Sequence, residues 1–367
     1  MIVLLGVSSR PQSRVADRIY RSYANRLRGL YDRDLGLVDM GGLEEKIEAL
    51  KSCSVVIVVV ATGGTRRHII RVSDLGASML VLSHPEQNSL PSALHALYIL
   101  RKLDRRILHI HAPPDLLDVG TIRRLVNAMR NLANLRGKRV VLMGVDGAYL
   151  ESERYDMDRL AKIFGLNVET VLIDEFLRMF ESSEPDRRLL EELRTLHAEG
   201  GVEGYLNGAA RMYSAVKKMM AGACGGGIRC FPIISKTRIT PCVAVAKLLD
   251  EGVAFSCEAD LASLVTMMFL RAAGCGTPFM ANIADIRDNR VVLCHCTVAL
   301  SLATEARLRR HFETGYGVSV EGTLREGEIT LAKISPDFAR IFITEGTIVS
   351  GKPTSSNMCG TEIVVRL

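Results

Sequence analysis

Two acids stand one residue apart in the run Cys257-Glu258-Ala259-Asp260, just after a short apolar stretch and just before an apolar helix-like one. A histidine closes a later strand-like run in Cys294-His295-Cys296. Acids at a strand-to-helix turn and a histidine at a strand end occupy the positions where open α/β domains carry chemistry. A carboxylate there can move a proton or bind a cation. An imidazole can do either. No other segment gathers as many groups of this kind.

Each residue also has a structural reading. Asp260 is expected to cap the helix that follows it, because an acid at a helix start accepts from free N–H groups and complements the dipole. Glu258 is read as the site residue. His295 is either a site residue or a hydrogen-bonded core histidine. Strand alternation turns Cys294 and Cys296 away from His295, which disfavours a joint Cys–His–Cys metal site. The Cys224–Cys230 spacing is not that of a zinc knuckle. Cys230 is expected in the core, and the Met-rich run 265–270 reads as helix core. Arg229, on an expected strand near a carboxyl edge, either holds a polar or acidic ligand or forms a surface salt bridge. Asn88 and Ser89 start a helix, as turn and N-cap or as substrate contacts. Gly63-Gly64 permits close backbone approach.

These residues need a scaffold, and the pattern supplies one. At 367 residues, two or three domains are expected. Strand-like runs at 2–6, 35–38, 55–61, 78–82 and 107–110 alternate with helix-like ones, giving a flavodoxin-like α/β domain over 1–113. A second α/β domain over 114–274 carries Glu258. Its strands are expected at 139–143, 168–173, 228–234 and 253–256, and its helices at 121–135, 155–164, 185–197, 205–220, 242–249 and 261–273. The glycine-rich stretch 222–227 reads as a loop, and it lacks the Lys-Ser/Thr of a phosphate loop. Helical periodicity ends near Gly276, so 275–367 is expected to be a small all-β domain, a barrel or sandwich. The expected class is thus α/β, two doubly wound parallel-sheet domains (flavodoxin-like or Rossmann-like), followed by a barrel-like β-domain.

Composition narrows the functional classes. The net charge of +6 is spread over pairs such as Arg66-Arg67, Arg187-Arg188 and Lys217-Lys218 without an aromatic platform, so nucleic acid is not an expected partner. No apolar run is long enough for a membrane span. Nine cysteines without a regular framework suit reduced thiols, and the chain starts on a strand-like run with no leader visible, so a cytoplasmic location is expected. Absent Trp and frequent Arg point toward a hot environment.

Several strings carry a family resemblance. ATGGT at 61–65 and HPEQNSLPSALHAL at 84–97 look like the N-terminal domain of the short, mostly archaeal branch of the L-fucose isomerase family. IRCFP at 228–232, CEAD at 257–260, PFMAN at 278–282 and LCHCT at 293–297 look like its core, and HFETGYGVSVEG at 311–322 like the opening of its β-domain. In their order and spacing the chain resembles L-fucose isomerase and its relatives, the sugar ketol-isomerases that include L-arabinose isomerase.

The resemblance implies aldose–ketose interconversion of a small sugar, such as a pentose, a deoxyhexose or an acidic derivative. It implies a divalent metal, Mn²⁺ or Mg²⁺, and a homo-oligomer, trimer or hexamer, in which a neighbour completes the sugar site. Mapped onto this chain, Glu258 becomes acid/base and ligand. Asn282 falls where the family has a second acid, and His295 where the arabinose branch has a metal-binding histidine. Asn88, Ser89 and Arg229 become substrate contacts. Two departures weaken the implied site. An Asn cannot act as a base, and the family's terminal Gly-Asn-His-type segment has no counterpart here. Metal affinity and turnover are therefore expected to be weak or absent. The alternative is a non-catalytic descendant serving as a sugar-binding or scaffold protein.

Overall fold

The computed structural model describes residues 1–103, 105, 107–352 and 357–367, and it divides into two compact units. The first comprises Met1–Asn134 with Ala272–Gly274, and the second Leu135–Arg271 with Cys275–Leu367.

The first unit is built on β1 (Ile2–Val7), β2 (Arg33–Val38), β3 (Val55–Val60), β4 (Ser78–Ser83) and β5 (Leu108–His111). They form one parallel sheet in the order β2-β1-β3-β4-β5. The strands β1 and β3 are apolar at almost every position because helices cover both faces. Val3, Leu5, Val56 and Val58 pack with Leu43, Ile69 and Ala93 on one face. Ile2, Leu4, Ile57 and Val59 pack with Tyr20, Tyr23 and Ile122 on the other. Ile122 belongs to the helix Val119–Ala133, which covers this first sheet rather than opening the second.

Strand order reverses between β1 and β3, where such folds bring two loops together. Thr62 Oγ1 accepts the N–H of Ser9 at 3.0 Å and lies 3.1 Å from Ser8 Oγ. Gly63 donates its N–H to Gln87 O at 2.7 Å, and a Cβ at position 63 would fall 2.9 Å from Asn88 Cβ. Only glycine lets these loops touch. Asn88 takes the N-cap position of the helix Ser89–Lys102 in the left-handed region, with no side-chain cap. Ser89 is buried, and its hydroxyl donates to Val60 O at 2.6 Å.

The second unit has its own parallel sheet: β6 (Arg139–Val145), β7 (Asn167–Leu172), β9 (Gly225–Ile228) and β10 (Ala254–Cys257), in the order β10-β9-β6-β7. The run Gly225-Gly226-Gly227, expected as a loop, is an interior strand. Its neighbours demand glycine. A Cβ at Gly226 would fall 2.9 Å from Val141 O, and one at Gly227 3.0 Å from Ala259 Cα. The strand expected at 228–234 is β9's last residue followed by a helix, Cys230–Thr237. An apolar run of this length cannot be assigned by periodicity alone. Pro232 is tolerated because it sits in the first helical turn, where an N–H has no intrahelical partner. A helix at Ile173–Glu181 directly follows β7.

The barrel-like expectation for the C-terminal segment gives way to two open sheets. One is antiparallel: β11 (Asn282–Arg287), β12 (Arg290–His295), β15 (Gly327–Ile334), β16 (Ile341–Ser350) and β17 (Thr361–Arg366), in the order β11-β12-β17-β16-β15. The other joins β13 (Ala303–Arg309) and β14 (Ser319–Leu324) to β8 (His197–Ala198), a two-residue strand from the α/β segment. No closure is needed, because these sheets share one apolar core with the parallel sheet, from Val140 and Phe255 to Val291, Val320 and Val365.

Candidate functional site

The site is built at the carboxyl edge of the second parallel sheet. After β10 ends at Cys257, Glu258 and Ala259 both take φ of 53°, in the left-handed region. Two consecutive non-glycine residues there store about 1–3 kcal/mol each. The surroundings hold the turn. Ala259 N donates to Ile228 O at 3.0 Å, and Tyr149 Oη donates to Glu258 O at 2.8 Å. Asp260 caps the next helix as expected, accepting from Ser263 N at 2.8 Å, and it pairs with Lys333 Nζ at 2.8 Å. Glycine takes φ of this sign without a Cβ penalty. Ala259→Gly is therefore expected to gain about 1 kcal/mol of stability. Urea unfolding checks this, and a lowered midpoint would show an unstrained turn.

The turn aims the Glu258 carboxylate at a neighbouring helix start. Its Oε1 accepts the Cys230 N–H at 2.9 Å, at the first residue of the helix Cys230–Thr237. Burial raises its pKa above the ordinary carboxylate value, against the opposing pull of the Cys230 and Phe231 N–H groups and the Arg229 charge. This is the environment of a carboxyl that can give and take a proton. Arg229 lies on the turn between β9 and that helix, not on a strand. Its guanidinium pairs with Asp146 at 2.8 Å and lies over the Tyr149 ring at 5.2 Å.

Around Glu258 the chain assembles buried thiols and imidazoles. Cys230 Sγ lies 2.9 Å from Cys257 Sγ, and Cys242 Sγ lies 3.6 Å from Cys296 Sγ. Among the described residues, three groupings have their donor atoms within 4.8 Å of one another: Cys230–Cys257–Glu258, Cys257–His295–Cys296 and Cys242–Cys296–His311. Hydrogen bonds from Cys242 and Cys257, with His295 and His311 nearby, hold the Cys296 thiol well below the usual thiol range. Burial pulls the His311 pKa down, but the Cys296 sulfur beside it more than offsets this and raises it.

The structure therefore brings Glu258 and His295 to the same sulfur, that of Cys257. Asn282 stands apart from them. It is exposed at the first residue of β11, in register with Cys294, whose side chain alternates with that of His295. The alternation argument against a Cys–His pair needs correction at one residue. The strand β12 ends at His295, so Cys296 is free of the alternation and comes round to the histidine. Cys242 and His311 were not singled out from the sequence. They come from a helix start and a loop far apart in the chain, and only their residue types hinted at a shared site.

Fold and site together define an α/β protein with a carboxyl, thiols and imidazoles gathered at the carboxyl edge of a parallel sheet. No family model matches the chain. It is similar to sulfoquinovose isomerase of Priestia aryabhattai and to that of Priestia megaterium, each 29% identical over 150 residues. That stretch covers 38% of this chain and 33% of each relative, so the chain spans about a third of the length of the curated relatives it matches. The likeness is to sugar isomerases of another name and does not single out the L-fucose branch. Among the described residues, no helix is long and apolar enough to cross a membrane.

These three groupings do not fit Mn²⁺ or Mg²⁺. Such hard ions take several oxygen ligands, and Glu258 is the sole oxygen donor in the three groupings. Calorimetry with Mn²⁺ is expected to show weak binding to the wild type and to Asn282→Asp alike, because position 282 lies off the His295 face. A marked gain of affinity in Asn282→Asp would return that position to the site.

Proposed function

We propose that this chain is an aldose–ketose isomerase-like protein of the L-fucose isomerase kind, with Glu258 as the residue that moves the proton. The observation that carries the reading is the Glu258 carboxyl itself. It is half-buried, held by a left-handed turn, and its proton affinity is raised by burial. The partial likeness to sulfoquinovose isomerases supports the same reaction class. In this reading Glu258 takes a proton from the carbon beside the sugar carbonyl and returns it to the carbonyl carbon through an enediol, while the carbonyl oxygen gains a proton from solvent and the adjacent hydroxyl gives one up to it. Arg229, steered by Asp146, orients hydroxyls or an acidic substituent of the substrate. Because the Ser89 hydroxyl is engaged internally, Asn88 is the better substrate contact of that pair. A homo-oligomer, trimer or hexamer, presents it to a second copy's site. The protein works in the cytoplasm.

The test is isomerisation in D₂O with pentoses, deoxyhexoses and acidic hexoses, including a sulfonated one, followed by NMR. Deuterium beside the carbonyl and ketose formation are expected for at least one class. No exchange with any of them would end the catalytic reading. It would leave the non-catalytic one, a sugar-binding or scaffold protein, which the exposed amide at position 282 favours. Light scattering is expected to report a trimer or hexamer, and a stable monomer at micromolar concentration would contradict the assembly.

A further inference from the structure

The thiols around Glu258 exceed what proton transfer needs. Cys242, Cys296 and His311 are 1%, 7% and 3% exposed, so water cannot solvate charge on them. They arrive from three separate places: the first residue of the helix Cys242–Asp250, the residue after β12, and the loop between β13 and β14. Their spacing is that of a ligand set. Two thiolates on one tetrahedral zinc, with Zn–S bonds of about 2.3 Å, lie about 3.8 Å apart. Cys242 Sγ and Cys296 Sγ are 3.6 Å apart.

The histidine is also prepared. His311 Nδ1 is engaged by Thr314 Oγ1 at 3.1 Å. On the other side of Cys296, His295 Nδ1 is engaged by Thr297 O at 3.3 Å. Anchoring one ring nitrogen on an oxygen leaves Nε2 to ligate, the usual outer arrangement of metal-bound histidines. Charge balances as well. Two thiolates neutralise a dication, which makes a buried centre tolerable where a lone thiolate is not. A Cys₂His set with an open fourth position is a known zinc arrangement. Soft donors select zinc-class ions over manganese or magnesium.

We propose that Cys242, Cys296 and His311 hold one zinc-class ion, with its fourth position on the side of Cys257 and His295. Binding releases two protons to solvent, so that both sulfurs ligate as thiolates and His311 as the neutral imidazole. The centre stands independently of sugar turnover and is tested without sugar.

The experiment is Co²⁺ titration of the full-length, metal-stripped protein, followed by Zn²⁺ competition. A thiolate-to-cobalt charge-transfer band saturating at about one equivalent and bleached by Zn²⁺ is expected. Cys242→Ser and Cys296→Ser should each weaken binding at least about tenfold, and Cys275→Ser, at an exposed position, should not. Should either site variant fail to fold, the wild type alone decides the matter. Alkylation mapped by mass spectrometry should show Cys242 and Cys296 protected by Zn²⁺ and Cys275 unprotected. No charge-transfer band, a band that survives Cys296→Ser, or alkylation indifferent to Zn²⁺ would overturn the proposal and leave the thiols as core packing.

Discussion

Glu258→Gln is expected to reduce sugar turnover by about 10²–10⁴-fold while making the folded chain more stable above the pH at which the buried carboxyl ionises. The two effects share one cause. Burial raises the folded-state pKa of Glu258 above the ordinary value of 4.5. Over the window from that value up to the raised one, the folded chain holds a proton that the unfolded chain has released. Stability therefore falls as pH rises through the window. Above the window the fold carries the ionised, half-buried carboxylate as a net penalty. Glutamine removes the charge and keeps Oε1 as acceptor for the Cys230 N–H. Urea midpoints should coincide for the two proteins below the window and separate above it, with the variant higher. A variant less stable above the window would show that the hydrogen bonds to the helix start outweigh burial. Retained turnover would remove Glu258 from the chemistry.

Gly227→Ala should damage fold and site together. Its new Cβ would fall 2.4 Å from Ser256 Oγ and 3.0 Å from Ala259 Cα. The serine side chain can rotate, but the Ala259 backbone is pinned by its bond to Ile228 O at 3.0 Å. Overpacking of this kind costs about 1–3 kcal/mol. The displaced turn is the one that aims Glu258, so turnover should fall further than the stability loss alone explains. Gly147→Ala, where a Cβ meets nothing within 4 Å, is the control and should be near neutral. Equal stability of the two variants would show that β9 tolerates a side chain. Normal turnover in a destabilised Gly227→Ala would uncouple the strand from the site.

Much of this architecture is local in origin, and local signals are legible in a sequence. Apolar runs such as 55–60 and the alternation of strand and helix set the first sheet, because a strand covered on both faces must be apolar at every position. Glu258 and Asp260 were legible for a similar reason. An acid directly between a strand and a helix has few other places to be, and Asp260 caps its helix as expected.

Tertiary structure alone decided the rest. The strand Gly225–Ile228 gives no hydrophobic signal, since glycine there answers to Val141, Ser256 and Ala259, residues distant in the chain. The left-handed turn at Glu258–Ala259 is strained by itself and exists because Tyr149 and Ile228 hold it. The two open sheets need no barrel because they close over the core of the parallel sheet. The thiol and imidazole centre is the clearest case. Cys230, Cys242, Cys257, the His295–Cys296 pair and His311 come from separate places in the chain, and no spacing along it encodes their meeting. Residue types announced what chemistry was available. Packing of distant segments decided which of those residues share a site.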